Sequence, residues 1–199
     1  MASDRVVTVP NMLSLARLGL AVVCFVAIDR SAPVAAFWLF LVAASTDWVD
    51  GWWARRFGQV SRVGRIFDPL VDKVLVCGAW VLLAARDEAA VIAPWMAVVV
   101  VVRELVVTAV RAEMERAGRD FSAGPAGKLK MVLQCATVAL VLGARAWPDL
   151  ALADVGLRTL AAWTAWAAVA ATAWSGLEYV VAAVPVIVRG AGEPPRPGA

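Results

Sequence analysis

The sequence contains no histidine, a single tyrosine and only three cysteines among 199 residues. The missing histidine excludes a histidine general base and a histidine-ligated metal, so any base must be a carboxylate, lysine, tyrosine or water. Cys24, Cys77 and Cys135 each lie alone in an apolar run, and their spacing fits no zinc or redox motif. We therefore expect them to be small buried apolar side chains.

Charge is also scarce, because charged residues make up 18% of the chain and hydrophobic residues 62%. This excess of apolar side chains indicates a polytopic membrane protein and argues against a soluble domain. We predict one transmembrane domain over residues 1–189. A tail rich in glycine and proline, residues 190–199, is expected to be disordered.

Six apolar stretches have lengths near the roughly 20 residues that a helix needs to cross a bilayer. We therefore predict an all-α membrane protein with six transmembrane helices. The sixth stretch is too long for one simple crossing, so it must extend beyond the membrane or break near Pro185. The stretches run from Asn11 to Ile28, Pro33 to Ala54, Pro69 to Ala85, Ala89 to Val110, Pro125 to Ala146 and Leu157 to Val188.

Basic residues are unevenly divided between the two ends of these stretches. Most lie at the two termini, in the second–third connection and in the fourth–fifth connection, whereas the opposite end has Arg30, Arg86, Arg145 and Arg158. The positive-inside rule then predicts that both termini are cytoplasmic. We expect a multi-pass protein of the cell (inner or plasma) membrane.

Four aspartates, Asp47, Asp50, Asp68 and Asp72, stand close together in this apolar context. An ionised carboxylate is costly in hydrocarbon, so intramembrane acidic residues are candidate functional sites. The first two are three residues apart and the last two are four apart, spacings that share a helix face. Because Pro69 disfavours helical geometry at the preceding residue, we expect Asp68 to be an N-cap. The charge distribution predicts that this site lies at the cytoplasmic side.

Four neighbouring carboxylates repel one another unless cations lie between them. Oxygen ligands suit Mg²⁺ or Mn²⁺, so the pattern predicts a site for divalent metal, and two ions would offset the four charges. Gly51 and Ala54 leave room for a ligand, and Arg55 can bind phosphate oxygens in a bidentate manner. Metal, carboxylates and arginine together indicate phosphoryl-type transfer.

The aspartates belong to a long gapped motif, Asp47-x2-Asp50-Gly51-x2-Ala54-Arg55-x8-Gly64-x3-Asp68-x3-Asp72. This motif resembles, at every position, that of the CDP-alcohol phosphotransferase family of membrane enzymes, which displace CMP from a CDP-linked substrate with an alcohol. The resemblance implies a two-metal centre of Mg²⁺ or Mn²⁺ on the four aspartates, with Asp72 also accepting the alcohol proton. It further implies a homodimer, and a CDP site lined by Asn11, Gly51, Ala54, Arg55, Ser61 and Gly64.

A basic set lies elsewhere in the chain. Arg103 falls inside the fourth stretch, and Lys128 and Lys130 open the fifth. These side chains can bind an anionic acceptor such as a phosphate, although lysines at a cytoplasmic helix end also extend to lipid headgroups.

A closer resemblance within the family is to the bacterial phosphatidylglycerophosphate synthases. It implies transfer from CDP-diacylglycerol to sn-glycerol 3-phosphate in phospholipid biosynthesis, giving phosphatidylglycerophosphate and CMP. The residues that carry it are Thr46 to Gly51, Phe67 to Val74, Arg103 to Leu105, Gly127 to Lys130, and Trp174 and Ser175 with Tyr179.

Three alternatives remain open on the sequence. One is a sibling enzyme with a different acceptor, such as a cardiolipin synthase that uses phosphatidylglycerol. Another is a divalent-cation transporter, which predicts polar residues across the whole membrane depth. The third is a scaffold in which the aspartates only fasten helices. No nucleic-acid partner is expected.

Overall fold

The computed structural model describes residues 9–57, 64–86, 91–116, 125–152 and 154–190. Within these ranges the chain is helical apart from connections and one short hairpin, which confirms the predicted all-α class. Each predicted apolar stretch corresponds to a helix of its own, although the fourth helix begins at Pro94, after the predicted start at Ala89. The helices are α1 (Val9–Asp29), α2 (Pro33–Phe57), α3 (Gly64–Arg86), α4 (Pro94–Arg116), α5 (Pro125–Ala146) and α6 (Leu157–Gly190).

The hairpin was not expected from the sequence. Strand β1 (Ala151–Leu152) pairs antiparallel with β2 (Val155–Gly156), in the connection between α5 and α6. Its turn includes Asp154, at φ 64°. Aspartate is among the residues that best tolerate this left-handed conformation, which allows so short a turn.

Proline sets several helix starts. Pro33, Pro94 and Pro125 are the first residues of α2, α4 and α5. A proline at this position loses nothing by lacking an N–H, because the first N–H groups of a helix have no intrahelical acceptor. A proline in the sequence therefore marks the first residue of three of the six helices in the described part of the chain.

The end of α1 is closed by a Schellman motif. The N–H of Ala32 donates to the carbonyl of Ala27 at 2.9 Å, and the N–H of Ser31 donates to that of Ile28 at 3.1 Å. Ser31 takes the left-handed position of the motif, at φ 53°, where glycine is usual. This turn reverses the chain within three residues and packs α2 directly against α1.

The expected start of α3 was wrong. Helix α3 begins at Gly64, so Asp68 lies inside the helix and is not an N-cap. Pro69 is tolerated there because, near the start of a helix, its missing N–H removes a single hydrogen bond. Of the two outcomes expected for α6, the structure shows an extended helix, because α6 continues past Pro185 to Gly190 without a break. With 34 residues it is about 51 Å long, more than a hydrocarbon core requires.

The helices form one bundle in which α1 packs on α2 and α3, and α6 packs on α4 and α5. Polar contacts at one end join the odd-numbered helices. Arg86 at the end of α3 forms an ion pair with Asp29 at the end of α1, and Arg145 of α5 donates a hydrogen bond to the backbone carbonyl of Arg86. The starts of the odd-numbered helices therefore meet the ends of the even-numbered helices at the other end of the bundle. The aspartate motif belongs to that other end.

The bundle is apolar outside and partly polar inside. Large apolar side chains on every helix are exposed, among them Leu15, Leu105, Val132 and Trp174, each more than 60% accessible. Buried side chains include Arg17, Glu104, Lys130, Gln134, Thr172 and Ser175 alongside an alanine-rich core. A soluble protein would bury the first set, whereas a protein in lipid exposes it and directs polar groups inward.

The chain is therefore a membrane protein. Among the described residues, Gly127–Ala146 and Leu157–Val184 are long and apolar enough to span a bilayer, and Pro33–Thr46 is a shorter apolar stretch. Crossing by all six helices stays a prediction. No disulfide joins the three cysteines, which all lie in described helices. Cys24 is buried as expected, whereas Cys77 and Cys135 are only partly buried. The predicted disordered tail lies outside the described residues from position 191 onward.

Gly78 of α3 packs directly against the ring of Phe25 in α1. A Cβ at Gly78 would overlap Cζ of Phe25, whereas a Cβ at Gly19, also helical, meets no atom within 4 Å. We predict that Gly78→Ala destabilises the protein by about 1–3 kcal/mol through overpacking, while Gly19→Ala is neutral or stabilising because alanine favours helix. Thermal unfolding of both variants in detergent checks this. Equal midpoints for the two variants would contradict the close packing.

Candidate functional site

The four aspartates lie on two consecutive helices. Asp47 and Asp50 occupy the second half of α2, and Asp68 and Asp72 occupy the first two turns or so of α3. Only the course of the helix is described for these positions. Their spacings of three and four residues put each pair of positions on one side of its helix. Because the second half of α2 leads directly to the start of α3, both pairs belong to the same end of the bundle.

The nucleotide-site residues expected from the resemblance follow the same course. Gly51, Ala54 and Arg55 continue α2, Gly64 begins α3, and Asn11 lies in the first turn of α1. For these five the helix alone is described, and Ser61 lies outside the described residues.

A buried arginine connects α1 to the aspartate-bearing part of α2. Arg17 is 2% exposed, and its Nε donates to Oγ1 of Thr46 at 3.2 Å. Thr46 in turn donates to the carbonyl of Ala43 at 2.7 Å. Because Thr46 immediately precedes Asp47, this contact orients α1 relative to the turn of α2 that carries the first aspartate pair.

A second group of charges lies where α4, α5 and α6 meet. Lys130 of α5 forms an ion pair with Oε1 of Glu104, and Nη1 of Arg103 lies 3.4 Å from the same oxygen. All three side chains are at least 90% buried. Two cations share one carboxylate, so the group, hereafter the cation cluster (Arg103, Glu104 and Lys130), carries a net positive charge.

Arg103 is held from the side of α6 as well. Its Nη2 donates to Oγ of Ser175 at 3.0 Å, and its guanidinium lies 5.5 Å from the centre of the Tyr179 ring, a cation–π distance. Gly176 makes room for it, because a Cβ there would lie 2.9 Å from Cγ of Arg103. Serine, glycine and tyrosine of α6 thus form the wall against which Arg103 rests.

Arg111, two turns further along α4, shares the same tyrosine. Its Nη2 donates to the Tyr179 hydroxyl at 3.0 Å, and its guanidinium lies 5.7 Å from the ring centre. The Nε atoms of Arg103 and Arg111 are buried and have no hydrogen-bond partner among the described residues. Buried donors normally find acceptors, so these two N–H groups are candidate donors to an oxygen-rich anion.

The cation cluster is linked to the helix that carries Asp72. Lys73, the next residue, donates to the hydroxyl of Thr108, and Thr108 donates to the carbonyl of Glu104 at 2.6 Å. This chain of contacts joins α3 to α4 within one turn of Glu104. The cluster and the second aspartate pair are therefore neighbours along the same end of the bundle.

Of the three predicted acceptor residues, the structure brings together Arg103 and Lys130. Lys128 is exposed, two positions before Lys130 on α5. Two residues along a helix correspond to a rotation of about 200°, so the two lysines cannot share a face. Lys128 therefore faces away from Lys130, on the exposed side of α5.

Deeper in the bundle the polar side chains are satisfied by one another. Gln134 and Thr172 are buried, and Nε2 of Gln134 donates to Oγ1 of Thr172 at 2.8 Å. The backbone carbonyl of Gln134 accepts a hydrogen bond of 3.3 Å from Nε1 of Trp80. Beyond these, α5 continues with the buried apolar Val138, Val141 and Leu142.

Most of the chain matches one known protein family. The pattern that defines CDP-alcohol phosphatidyltransferases matches residues 7–174. The chain belongs to this family. Its members are enzymes that are generally metal-dependent.

Curated relatives agree with this placement. A protein of Shigella flexneri serotype 5b is 35% identical over 184 residues, which are 88% of this chain and 94% of its own. One of Escherichia coli K12 is 34% identical with the same coverage. One of Bacillus subtilis is 34% identical over 148 residues, 67% of this chain and 75% of its own. All three are named CDP-diacylglycerol–glycerol-3-phosphate 3-phosphatidyltransferase.

A metal centre fits the donor chemistry of the aspartate motif. Four carboxylates from adjacent helices are hard oxygen donors of the kind that Mg²⁺ and Mn²⁺ take. Among the side chains that the structure describes, no three acidic or cysteine groups converge as metal ligands. The sequence has no histidine to compete with the carboxylates.

Sequence reasoning did not assign a role to Arg111 or Gly176, and it treated Ser175 and Tyr179 only as parts of a resemblance. A signal for Arg111 was present, because it stands eight residues after Arg103 on an otherwise apolar helix. Eight residues is near two turns, so both arginines lie toward one side of α4. The role of Gly176 depends on the path of Arg103, which only packing reveals.

The buried Gln134–Thr172 bond gives a prediction of stability. Gln134→Leu and Thr172→Val each should lower the free energy of unfolding by about 0.5–2 kcal/mol, because each leaves a buried polar partner unsatisfied. The double variant should cost less than the sum of the two. Thermal or denaturant unfolding in detergent measures the coupling, and strictly additive costs would contradict the bond.

Proposed function

We propose that the protein transfers the phosphatidyl group from CDP-diacylglycerol to sn-glycerol 3-phosphate, giving phosphatidylglycerophosphate and CMP. The names of the relatives supply this reaction, and the family membership makes the chain an enzyme of this type. The observation that carries the acceptor assignment is the cation cluster beside the aspartate-bearing helix. Its net positive charge and buried arginine donors suit a phosphorylated acceptor better than a neutral alcohol.

Asp47, Asp50, Asp68 and Asp72 would hold two divalent cations, Mg²⁺ or Mn²⁺. When bound there, such ions would supply Lewis-acid chemistry that stabilises negative charge on the phosphate oxygens of the CDP-lipid. In this assignment the four carboxylates serve as ligands, and Asp72 has a second role as the base.

The chain's own groups then perform the transfer. Arg55 binds a phosphate of the nucleotide, and Asn11, Gly51, Ala54, Ser61 and Gly64 line the CDP site. The carboxylate of Asp72 accepts the proton of the acceptor hydroxyl. The freed oxygen attacks the β-phosphorus, which bears diacylglycerol, and the bond to CMP breaks. No covalent intermediate on the protein is required.

The acceptor phosphate would lie on Arg103 and Lys130, with Lys128 at the outer margin. A guanidinium and an ammonium approaching from different helices restrict the position of a phosphate more than either does alone. Fixing the phosphate in this way fixes the distance to the attacking hydroxyl. An acceptor without a phosphate would lack that anchor.

The setting in the membrane is part of the proposal. We infer six crossings with both termini in the cytoplasm, so that the site faces the cytoplasmic leaflet, where the water-soluble acceptor and CMP can exchange. The apolar outer faces of the helices support this arrangement, since they would contact the acyl chains of the bilayer and of the lipid substrate. A homodimer within the bilayer is part of the same proposal.

The first test is CMP release from CDP-diacylglycerol by the purified protein, compared with Asp72→Asn. We expect release that requires both Mg²⁺ or Mn²⁺ and glycerol 3-phosphate, and a loss of at least about 10²-fold in the variant, because general-base catalysis is typically worth that much. Retained activity in Asp72→Asn would contradict the assigned base.

The acceptor dependence of the same assay separates the related functions. Release that requires phosphatidylglycerol would indicate cardiolipin synthesis, and metal flux in proteoliposomes without turnover would indicate transport. Either result would overturn the proposed reaction.

Two lysines on one helix provide a matched test of the acceptor site. Lys130→Gln should raise the KM for glycerol 3-phosphate by about tenfold or more, because it removes a buried cation from the phosphate site. Lys128→Gln should raise it only about two- to threefold, because an exposed lysine is screened by water. Steady-state kinetics at saturating CDP-diacylglycerol measures both. An equal effect of the two substitutions would contradict the central place of Lys130.

A further inference from the structure

Glu104 is an unexpected residue beside a site for an anion. Its carboxylate is buried at the junction of α4, α5 and α6, and it would repel an acceptor phosphate. A site built only to attract phosphate would do better without it. Its presence therefore needs a reason that outweighs this repulsion.

We propose that Glu104 is a positioning residue that sets the geometry of the acceptor-phosphate site. A single oxygen, Oε1, contacts both the Lys130 ammonium and the Arg103 guanidinium. This inference rests on the proposed function, because it takes Arg103 and Lys130 to be the groups that bind the acceptor phosphate. Glu104 itself does not touch the acceptor.

Repulsion between the two cations is the physical reason. Their side chains are only 8% and 9% exposed, so little water screens one charge from the other. Without a carboxylate between them, the ammonium and guanidinium would move apart. A phosphate that must contact both would then find them too far apart.

Lys130 depends on Glu104 more than Arg103 does. Arg103 is also held by the Ser175 hydroxyl and rests over the Tyr179 ring. For Lys130, Glu104 is the one ionic partner that the described residues provide. Loss of the carboxylate should therefore leave Arg103 near its place and release the lysine, which destroys the convergence of the pair.

Charge and position predict opposite effects of neutralising Glu104. If its charge mattered most, Glu104→Gln would make the site more positive and lower the KM for the acceptor. If its positioning role dominates, the same change raises that KM. We expect position to dominate, because two misplaced cations cannot hold one phosphate at the distance that attack requires.

The test is a comparison of Glu104→Gln and Glu104→Asp with Glu113→Gln, an exposed glutamate on the same helix. For Glu104→Gln we expect the KM for glycerol 3-phosphate to rise about tenfold or more, with kcat and the KM for CDP-diacylglycerol changed less than about twofold. Glu104→Asp keeps the charge on a shorter side chain, so its KM for glycerol 3-phosphate should lie between those of Glu104→Gln and wild type. Glu113→Gln should match wild type.

Several results would overturn this inference. A lower KM for glycerol 3-phosphate in Glu104→Gln would show that Glu104 only reduces the positive charge. Parallel losses for both substrates, or a fall in kcat alone, would show a general structural role. If Glu104→Gln does not yield monodisperse protein, Glu104→Asp decides alone, and an unchanged acceptor KM there counts against the proposal.

The wild-type arm distinguishes the two levels of the argument. No turnover of glycerol 3-phosphate by the wild-type protein would overturn the proposed function and this inference with it. Wild-type turnover with an unaltered acceptor KM in Glu104→Gln would overturn this inference only.

Discussion

Burial of charge in an apolar bundle is the constraint on which the rest of this structure depends. An ionised group in hydrocarbon or in a helix interior is stable only when a partner of opposite charge or a hydrogen-bonding group reaches it. The ion pair of Glu104 with Lys130 meets that requirement between α4 and α5, and Arg17 meets it between α1 and α2 through Thr46. Helix packing at this end is therefore determined by polar contacts as much as by shape.

The two ends of the bundle serve different purposes. At one end, Arg86 bonds Asp29 and receives the Arg145 side chain on its carbonyl, which ties three helices together near their termini. At the other end the cations lie deeper and share one carboxylate, and the Nε donors of Arg103 and Arg111 have no partner among the described residues. An excess of unsatisfied donors lowers stability unless a ligand supplies acceptors, which is the usual compromise at a binding site.

Small residues allow this arrangement. Alanine is the most frequent residue in the buried core, and Gly78 and Gly176 mark places where a side chain of a neighbouring helix occupies the volume of a Cβ. Close packing through small residues is the main source of helix association in lipid, where burying apolar groups gains little. At Gly176 the same packing property bears on function, because the displaced volume is filled by the stem of Arg103.

The sequence alone determined the class, the number of helices and most of their boundaries. Apolar runs of bilayer length and helix-starting prolines are local signals, and they placed all six helices within a few residues at most ends. The gapped aspartate motif also determined the family. It lies within a single stretch of the chain, so its information is in the spacing of residues and not in packing. The short hairpin and the N-terminal extension of α3 before Asp68 were missed, because both depend on what the neighbouring segments permit.

Only the tertiary structure decided which distant residues act together. Arg103, Lys130 and Tyr179 are separated by 27 and 49 residues along the chain, so no local pattern could show that they meet beside Glu104. The sequence likewise could not show which of Lys128 and Lys130 faces the interior of the bundle, since both are lysines at one helix start. Their different burial follows from the rotation of α5 within the bundle, and the rotation of a helix is set by everything that packs against it.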